Sequence, residues 1–282
     1  MIKSVSFWSF PAGMSIAEIL RAAKDLGFQG VELTLEAEGE ITLQTPADDI
    51  KRIKDLAVSL GVETPTVATG LGWAHPAVGP DDAAGAKGLE VLRKEMEVAQ
   101  ILGASTVLVV PCTVSPDFEY DCAYDRTVEV FSGPIADEAA ARGVTIGLEY
   151  VWNKFLLRPL EFRRIIDEIN KPTVQAYFDV GNVLIAGFPE QWIRILGERI
   201  KAVHFKDFKR SIGTIDGFID LLEGDVAWDR VMAALKAIGY DGAVTAEMMP
   251  PYQYFPLQLL DATSRAMDRI LSLSGGCCCG CS

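Results

Sequence analysis

In Ala141-Arg142-Gly143-Val144-Thr145-Ile146-Gly147-Leu148-Glu149-Tyr150 a helix ends, the chain reverses and a strand begins. Ala141 and Arg142 close an apolar stripe of helical period that runs through Val128, Phe131, Ile135 and Ala139. Gly143 suits the left-handed backbone just past a helix end, where a Cβ would be penalised. Val144 to Tyr150 is then a β-branched and aliphatic run of strand length, and a carboxylate, Glu149, stands near its end. Outward from this unit the same succession recurs in both directions. Strands are predicted at Lys3 to Phe7, Gly30 to Leu35, Thr64 to Thr69, Ser105 to Val110, Val144 to Tyr150, Val174 to Phe178, Ala202 to Lys206 and Ala243 to Glu247, eight in all. Between them lie stripes of helical spacing, such as Ile16, Ile19, Leu20 and Ala23, or Ile50, Ile53, Leu56 and Leu60. Gly27, Gly61, Gly103 and Gly239 punctuate further helix ends as Gly143 does.

Strands alternating with amphipathic helices imply βαβ units and a parallel sheet. A count of eight favours closure into a single α/β (β/α)8 TIM barrel over an open sheet, and the chain length fits one such barrel. The expected layout is one barrel domain over residues 1–274 and a Gly/Cys-rich tail, 275–282, without fixed structure.

Composition narrows the partners. The chain has 282 residues, 26 Lys and Arg against 39 Asp and Glu, and a formal charge of −13. That balance opposes a phosphate backbone, so no nucleic acid is expected. No apolar run is long enough for a membrane helix, and the first ten residues read as a strand, not a signal peptide, so a cytoplasmic enzyme is expected. With only His75 and His204 available, any site with three histidine ligands is excluded. Cys112 and Cys122 sit in the folded body, whereas Cys277, Cys278, Cys279 and Cys281 crowd the tail, a distribution unlike a disulfide framework. No motif marks an interface, although a homo-oligomer is compatible with a barrel.

In a barrel of this kind the chemistry lies at the C-terminal ends of the strands. Four consecutive strands carry metal-ligand types there: Glu149, then Asp179 in Tyr177-Phe178-Asp179-Val180-Gly181-Asn182, then His204 in Val203-His204-Phe205-Lys206-Asp207, then Glu247 in Thr245-Ala246-Glu247-Met248. Any one of them alone reads equally well as a cap or a solvated group. Together, closure would aim them into one mouth, as a mainly hard, oxygen-rich set that suits one divalent cation: Mn²⁺ first, then Mg²⁺ or Co²⁺, with Zn²⁺ accommodated.

These blocks, with Leu222-Glu223-Gly224-Asp225-Val226-Ala227-Trp228, resemble the xylose-isomerase-like barrel superfamily, and within it the L-ribulose-5-phosphate 3-epimerases and D-tagatose 3-epimerase relatives. The resemblance implies that Glu149, Asp179, His204 and Glu247 hold the metal and that Glu149 and Glu247 also move protons. It implies a sugar or sugar phosphate as substrate and 3-epimerisation of a ketose, through a metal-stabilised cis-enediolate, as the reaction. Aldose-ketose or hydroxypyruvate isomerisation and keto-inositol or keto-sugar dehydration use similar equipment and remain alternatives, as does a sugar-binding barrel without activity. The endonuclease IV branch, with its many histidines, is excluded. In the tagatose epimerases a histidine stands where this chain has Asn182, which is therefore assigned to substrate hydroxyls. Arg210 occupies a place where that pattern has a substrate-touching arginine. Lys206, Trp152, Asn153, Lys154 and His75 complete the expected substrate contacts. Lys154, Arg158, Lys206, Lys209 and Arg210 would permit a phosphate but do not require one.

Overall fold

Every expected strand forms. The structure is a computed structural model that describes residues 1–249 and 252–273. Its strands are β1 (Ile2–Ser6), β2 (Gly30–Leu35), β3 (Thr66–Thr69), β4 (Thr106–Val109), β5 (Thr145–Glu149), β6 (Val174–Asp179), β7 (Ile200–Phe205), β8 (Asp207–Phe208), β9 (Phe218–Ile219) and β10 (Ala243–Ala246). Its helices are α1 (Ile16–Asp25), α2 (Ala47–Leu60), α3 (Asp82–Leu102), α4 (Tyr120–Ser132), α5 (Pro134–Arg142), α6 (Pro159–Ile169), α7 (Pro189–Leu196), α8 (Trp228–Ala237) and α9 (Leu257–Ser272). Eight parallel strands close in the order β1-β10-β7-β6-β5-β4-β3-β2, with β2 pairing back onto β1. The expected single (β/α)8 barrel is therefore what forms. Tail residues 275–282 and the Pro250-Pro251 pair lie outside the described residues.

The punctuation behaves as read. Gly61 and Gly143 end α2 and α5 at φ 67° and 68°, a left-handed backbone from which the chain turns into the next strand. Two features depart from expectation. The stripe from Val128 to Ala139 is not one helix: α4 stops at Ser132, Gly133 is extended, and Pro134 starts α5. Proline has no N–H to bond the preceding turn and its ring collides with the carbonyl there, so an otherwise continuous apolar face is cut in two. The second departure is the small antiparallel ribbon β8-β9, which leaves the barrel between β7 and α8. The buried Asp207 carboxylate ties it down, accepting from the N–H groups of Phe208, Leu222 and Val226 and from Trp228 Nε1 at 2.9–3.2 Å. A Cβ at Gly224 would overlap that carboxylate, which is why a glycine passes there.

Burial separates the two faces of the sheet. The large apolar cluster fills the space between strands and helices, with Val5, Val31, Leu33, Val67 and Phe205 facing Leu20, Ile50, Phe131 and Trp192 among others. Inside the barrel the apolar part is small: Ala68, Leu108, Val110, Tyr177 and Ala202, with Trp8 and Val151 packed against them. The rest of the barrel lumen is polar and buried, including Ser4, Glu32, Thr34, Thr66, Glu149, Asp179 and His204. Alternation along each strand sends one apolar set outward to the helices and this polar set inward. Gly147 leaves room for Tyr177, since a Cβ there would lie 3.0 Å from the Tyr177 Cβ.

Candidate active site

Register brings the strand-end groups together. Asp179 pairs with His204 across β6 and β7, and Thr245 flanks His204 on the other side, just before Glu247. One ligand atom from each of Glu149, Asp179, His204 and Glu247 falls within 4.8 Å of the other three. His204 Nδ1 is 2.9 Å from Glu247, 3.5 Å from Glu149 and 3.8 Å from Asp179. Glu149 and Glu247 stand at the two ends of the arc β5-β6-β7-β10.

The far side of the imidazole is fixed from below. His204 Nε2 lies 2.9 Å from Glu32 Oε1, while Tyr177 and Thr66 donate their hydroxyls to Glu32 Oε2 at 2.5 and 2.8 Å. Burial alone would raise the Glu32 carboxyl, but His204, Tyr177 and Thr66 outweigh it and hold it below the usual carboxylate range. An ionised Glu32 draws the ring proton to Nε2 and leaves the Nδ1 lone pair facing the three carboxylates. Glu32 sits in the middle of β2, fully buried under His204.

Lys206 also joins the cluster. Expected as a contact for substrate, its ammonium reaches into the cluster, 2.8 Å from Glu247 and 3.3 Å from Asp179. Burial works against that charge, yet Asp179, Glu247 and Glu149 hold it above the ordinary lysine range. The two glutamates are driven apart. Burial pushes Glu149 up to about 7, with His204 only partly opposing it. Glu247 is also buried, but Lys206 and His204 overcome this and keep it well below the usual range. Without a bound cation the two carboxyls therefore differ in protonation near neutral pH.

These donors fit a divalent cation. Glu149 Oε1, Asp179 Oδ2 and His204 Nδ1 are buried and make no well-directed hydrogen bond among the described residues, although Lys206 Nζ and Glu247 Oε2 lie within ion-pair distance of the last two. Buried polar atoms are almost always satisfied, so three such atoms within 4.8 Å of one another form a group that could hold a metal ion. Charge agrees: with the His204 ring neutral, the carboxylates of Glu32, Asp179 and Glu247 face only the Lys206 ammonium, so two negative charges stay uncompensated even when Glu149 is protonated.

The remaining expected contacts are dispersed. Trp152 packs on Phe218 and edge-on to Phe208, with its Nε1 donating to the Asn182 carbonyl at 3.1 Å, so it walls the β5-β7 side. Asn182 is buried, and its side chain donates to the Tyr150 carbonyl at 3.3 Å while its N–H caps Asp179. Asn153 is also buried and donates to the Cys112 carbonyl at 2.6 Å, a tie between two loops. Lys154 is exposed on a left-handed backbone. Arg210 is half exposed beside Asp225. His75 is exposed beyond β3 at a small cavity that also meets Glu95, and it does not join the cluster.

A closed eight-stranded barrel with a convergent donor set at its C-terminal face defines the class of protein: a (β/α)8 barrel with a centre of metal-ligand type. The family model described as xylose isomerase-like TIM barrel matches residues 20–270, and the chain belongs to that family. Similar proteins include the L-ribulose-5-phosphate 3-epimerase UlaE of Shigella flexneri serotype 5b (strain 8401), 29% identical over 246 residues that cover 85% of this chain and 84% of that one. Another, of the same name, from Salmonella typhi, is 29% identical over 249 residues, 85% of this chain and 84% of that one. Among solved structures, a D-psicose 3-epimerase determined in the presence of D-fructose superposes with a TM-score of 0.81 at 17% identity, covering 98% of this chain and all of that one. An IOLI protein with a binding zinc atom gives a TM-score of 0.81 at 16% identity, over 96% and 98% of the two chains. At these identities the two structures speak for the fold. No helix among the described residues is long and apolar enough to cross a membrane.

Proposed function

We propose that the chain is a divalent-metal-dependent 3-epimerase of ketoses or ketose phosphates. The coarser statement, an enzyme of the isomerase class, rests on relatives named epimerases over most of both chains. The finer one is supported by a single observation: ligand atoms of Glu149, Asp179, His204 and Glu247, three of them buried without a well-directed hydrogen bond among the described residues, gathered within 4.8 Å of one another at the ends of four adjacent strands.

Glu149, Asp179, His204 and Glu247 would hold the cation, which, when bound, polarises a substrate carbonyl and steadies the negative charge that develops on its oxygen. Glu32 and Tyr177 keep His204 turned so that Nδ1 faces the cluster. One glutamate takes the proton from the carbon beside the carbonyl, and the electron pair of that C–H bond moves toward the carbonyl oxygen, giving a planar enediolate. The other glutamate, at the opposite end of the strand arc, returns a proton to the other face, and the configuration at that carbon inverts. Lys206 keeps Glu247 ionised for the first of these tasks. For the reverse epimer the roles exchange.

The test is solvent exchange. Protein loaded with Mn²⁺ in D2O, offered a panel of ketoses and ketose phosphates, should place deuterium at C3 and yield the inverted epimer. E149Q and E247Q should each slow the reaction roughly 10²–10⁴-fold. Absence of exchange over the whole panel sinks the proposal. A carbonyl relocated to C1 would make the enzyme an aldose-ketose isomerase, and loss of water a dehydratase.

A further inference from the structure

Beside the cluster, a cavity of about 900 Å³ opens between the C-terminal ends of β1, β2 and β10 and reaches Glu247. Its charged lining is of one sign. Glu18, Glu36, Glu38, Glu40 and Glu247 border it, and no lysine, arginine or histidine does among the described residues. The basic residues that would permit a phosphate lie elsewhere: Lys206 is held by Asp179 and Glu247, Arg210 is beside Asp225, and Lys154, Arg158 and Lys209 are exposed outside this lining.

The cavity is also built for a ligand. Thr34 lines it from inside β2, is 2% exposed, and its Oγ1 has no hydrogen-bond partner among the described residues. A hydroxyl so buried is costly unless something bonds to it. Trp8 packs over the apolar patch of the lumen, and its indole N–H donates to Glu36 Oε1 at 2.8 Å. That bond engages one oxygen of a carboxylate that lines the cavity and leaves Oε2 as an acceptor. Thr34 and Glu36 thus offer the pattern that bonds sugar hydroxyls, a donor-acceptor beside a pure acceptor. A phosphate dianion, which only accepts at neutral pH, would meet carboxylates of its own charge.

We propose that this chain acts on unphosphorylated polyhydroxy ketones, whose end remote from the metal cluster occupies this cavity with its hydroxyls bonded to Thr34 and Glu36. The inference rests on the proposed epimerase reading and narrows its substrate class. Glu36 and Thr34 then set specificity, and the acidic rim rejects terminal phosphates.

The experiment compares matched pairs, each a free ketopentose or ketohexose and its terminal phosphate ester, with Mn²⁺-loaded protein and deuterium entry at C3 as the readout. The free sugars should be favoured in kcat/KM by a factor on the order of 100, the size of discrimination that like-charge juxtaposition supplies. T34V and E36Q should each lower kcat/KM for the free sugar roughly tenfold or more, by leaving its hydroxyls unpaired, while Mn²⁺ affinity stays at the wild-type value. Equal or better turnover of the phosphate esters overturns the inference and leaves the epimerase reading standing, as does indifference of free-sugar turnover to both substitutions. Exchange with neither class overturns the epimerase reading and this inference with it.

Discussion

Replacing Glu32 by Gln isolates one charge in the support of the cluster. The glutamine has the same shape, so its amide oxygen can still accept from His204 Nε2, and the hydroxyls of Thr66 and Tyr177 can rotate to accept from its NH2. What disappears is the ionic character of the 2.9 Å contact to His204. Hydrogen bonds to a charged partner are worth about 1.5–3 kcal/mol and neutral ones about 0.5–1.5, so the loss is about 1–1.5 kcal/mol. It falls on the preference for the Nε2–H tautomer, and thus on the availability of Nδ1. Changes to groups that orient a ligating histidine typically weaken metal binding about 10–100-fold, and a factor near ten is expected here. The assay is competition for Mn²⁺ between metal-stripped protein and a fluorescent chelator, with thermal unfolding of the metal-free forms in parallel. An E32Q protein that binds Mn²⁺ within twofold of wild type would show that Glu32 does not act through His204, and the account of the ligand geometry would fail.

Two further outcomes are expected. Glu95 in α3 is 1% exposed with Oε1 unpartnered among the described residues, and burial, aided by the charge of Glu32, raises its carboxyl well above the ordinary 4.5. Its folded pKa therefore exceeds its unfolded one: stability is fully present below the unfolded value and declines by about 1.4 kcal/mol per pH unit as pH rises toward the folded one. E95Q should remove this slope, so its denaturant midpoint should gain on wild type between pH 5 and pH 7; parallel profiles would contradict the buried, neutral carboxyl. Gly147→Ala would put a Cβ 3.0 Å from both Thr106 Cγ2 and Tyr177 Cβ. A loss of about 1–3 kcal/mol is expected from such overpacking, measured by urea unfolding, and an unchanged midpoint would mean that the lumen is looser than described.

The barrel was legible because its signals are periodic and repeated. Eight β-branched runs and the glycines that follow the helices say the same thing at every turn of the chain, and the structure agrees to within a few residues at each strand. The four strand-end groups were legible because register follows from the parallel pairing. What escaped has no period. Glu32 is a lone charge in the apolar run Gly30-Val31-Glu32-Leu33-Thr34-Leu35, where alternation alone would have turned it inward with Thr34. Lys206 follows His204 by two and so shares its face, yet a basic residue at a strand end reads first as a substrate clamp. The ribbon strands β8 and β9 span two residues each, too short for any pattern. Gly133-Pro134 did carry its warning, overridden by the apolar stripe that runs across it. The cavity beyond Trp8 depends on how loops from both ends of the chain meet, which local pattern does not encode.

The lumen divides labour unevenly around its circumference. Residues from β5, β6, β7 and β10 make up the charged cluster, whereas the loops after β1 and β2 shape the adjoining hollow. A chimera that swaps those two loops for another barrel's could therefore redirect substrate choice without rebuilding the cluster, provided the graft begins beyond Glu32. Cut one strand position too early, and the transplant would carry off the prop beneath the imidazole along with the wall it was meant to replace.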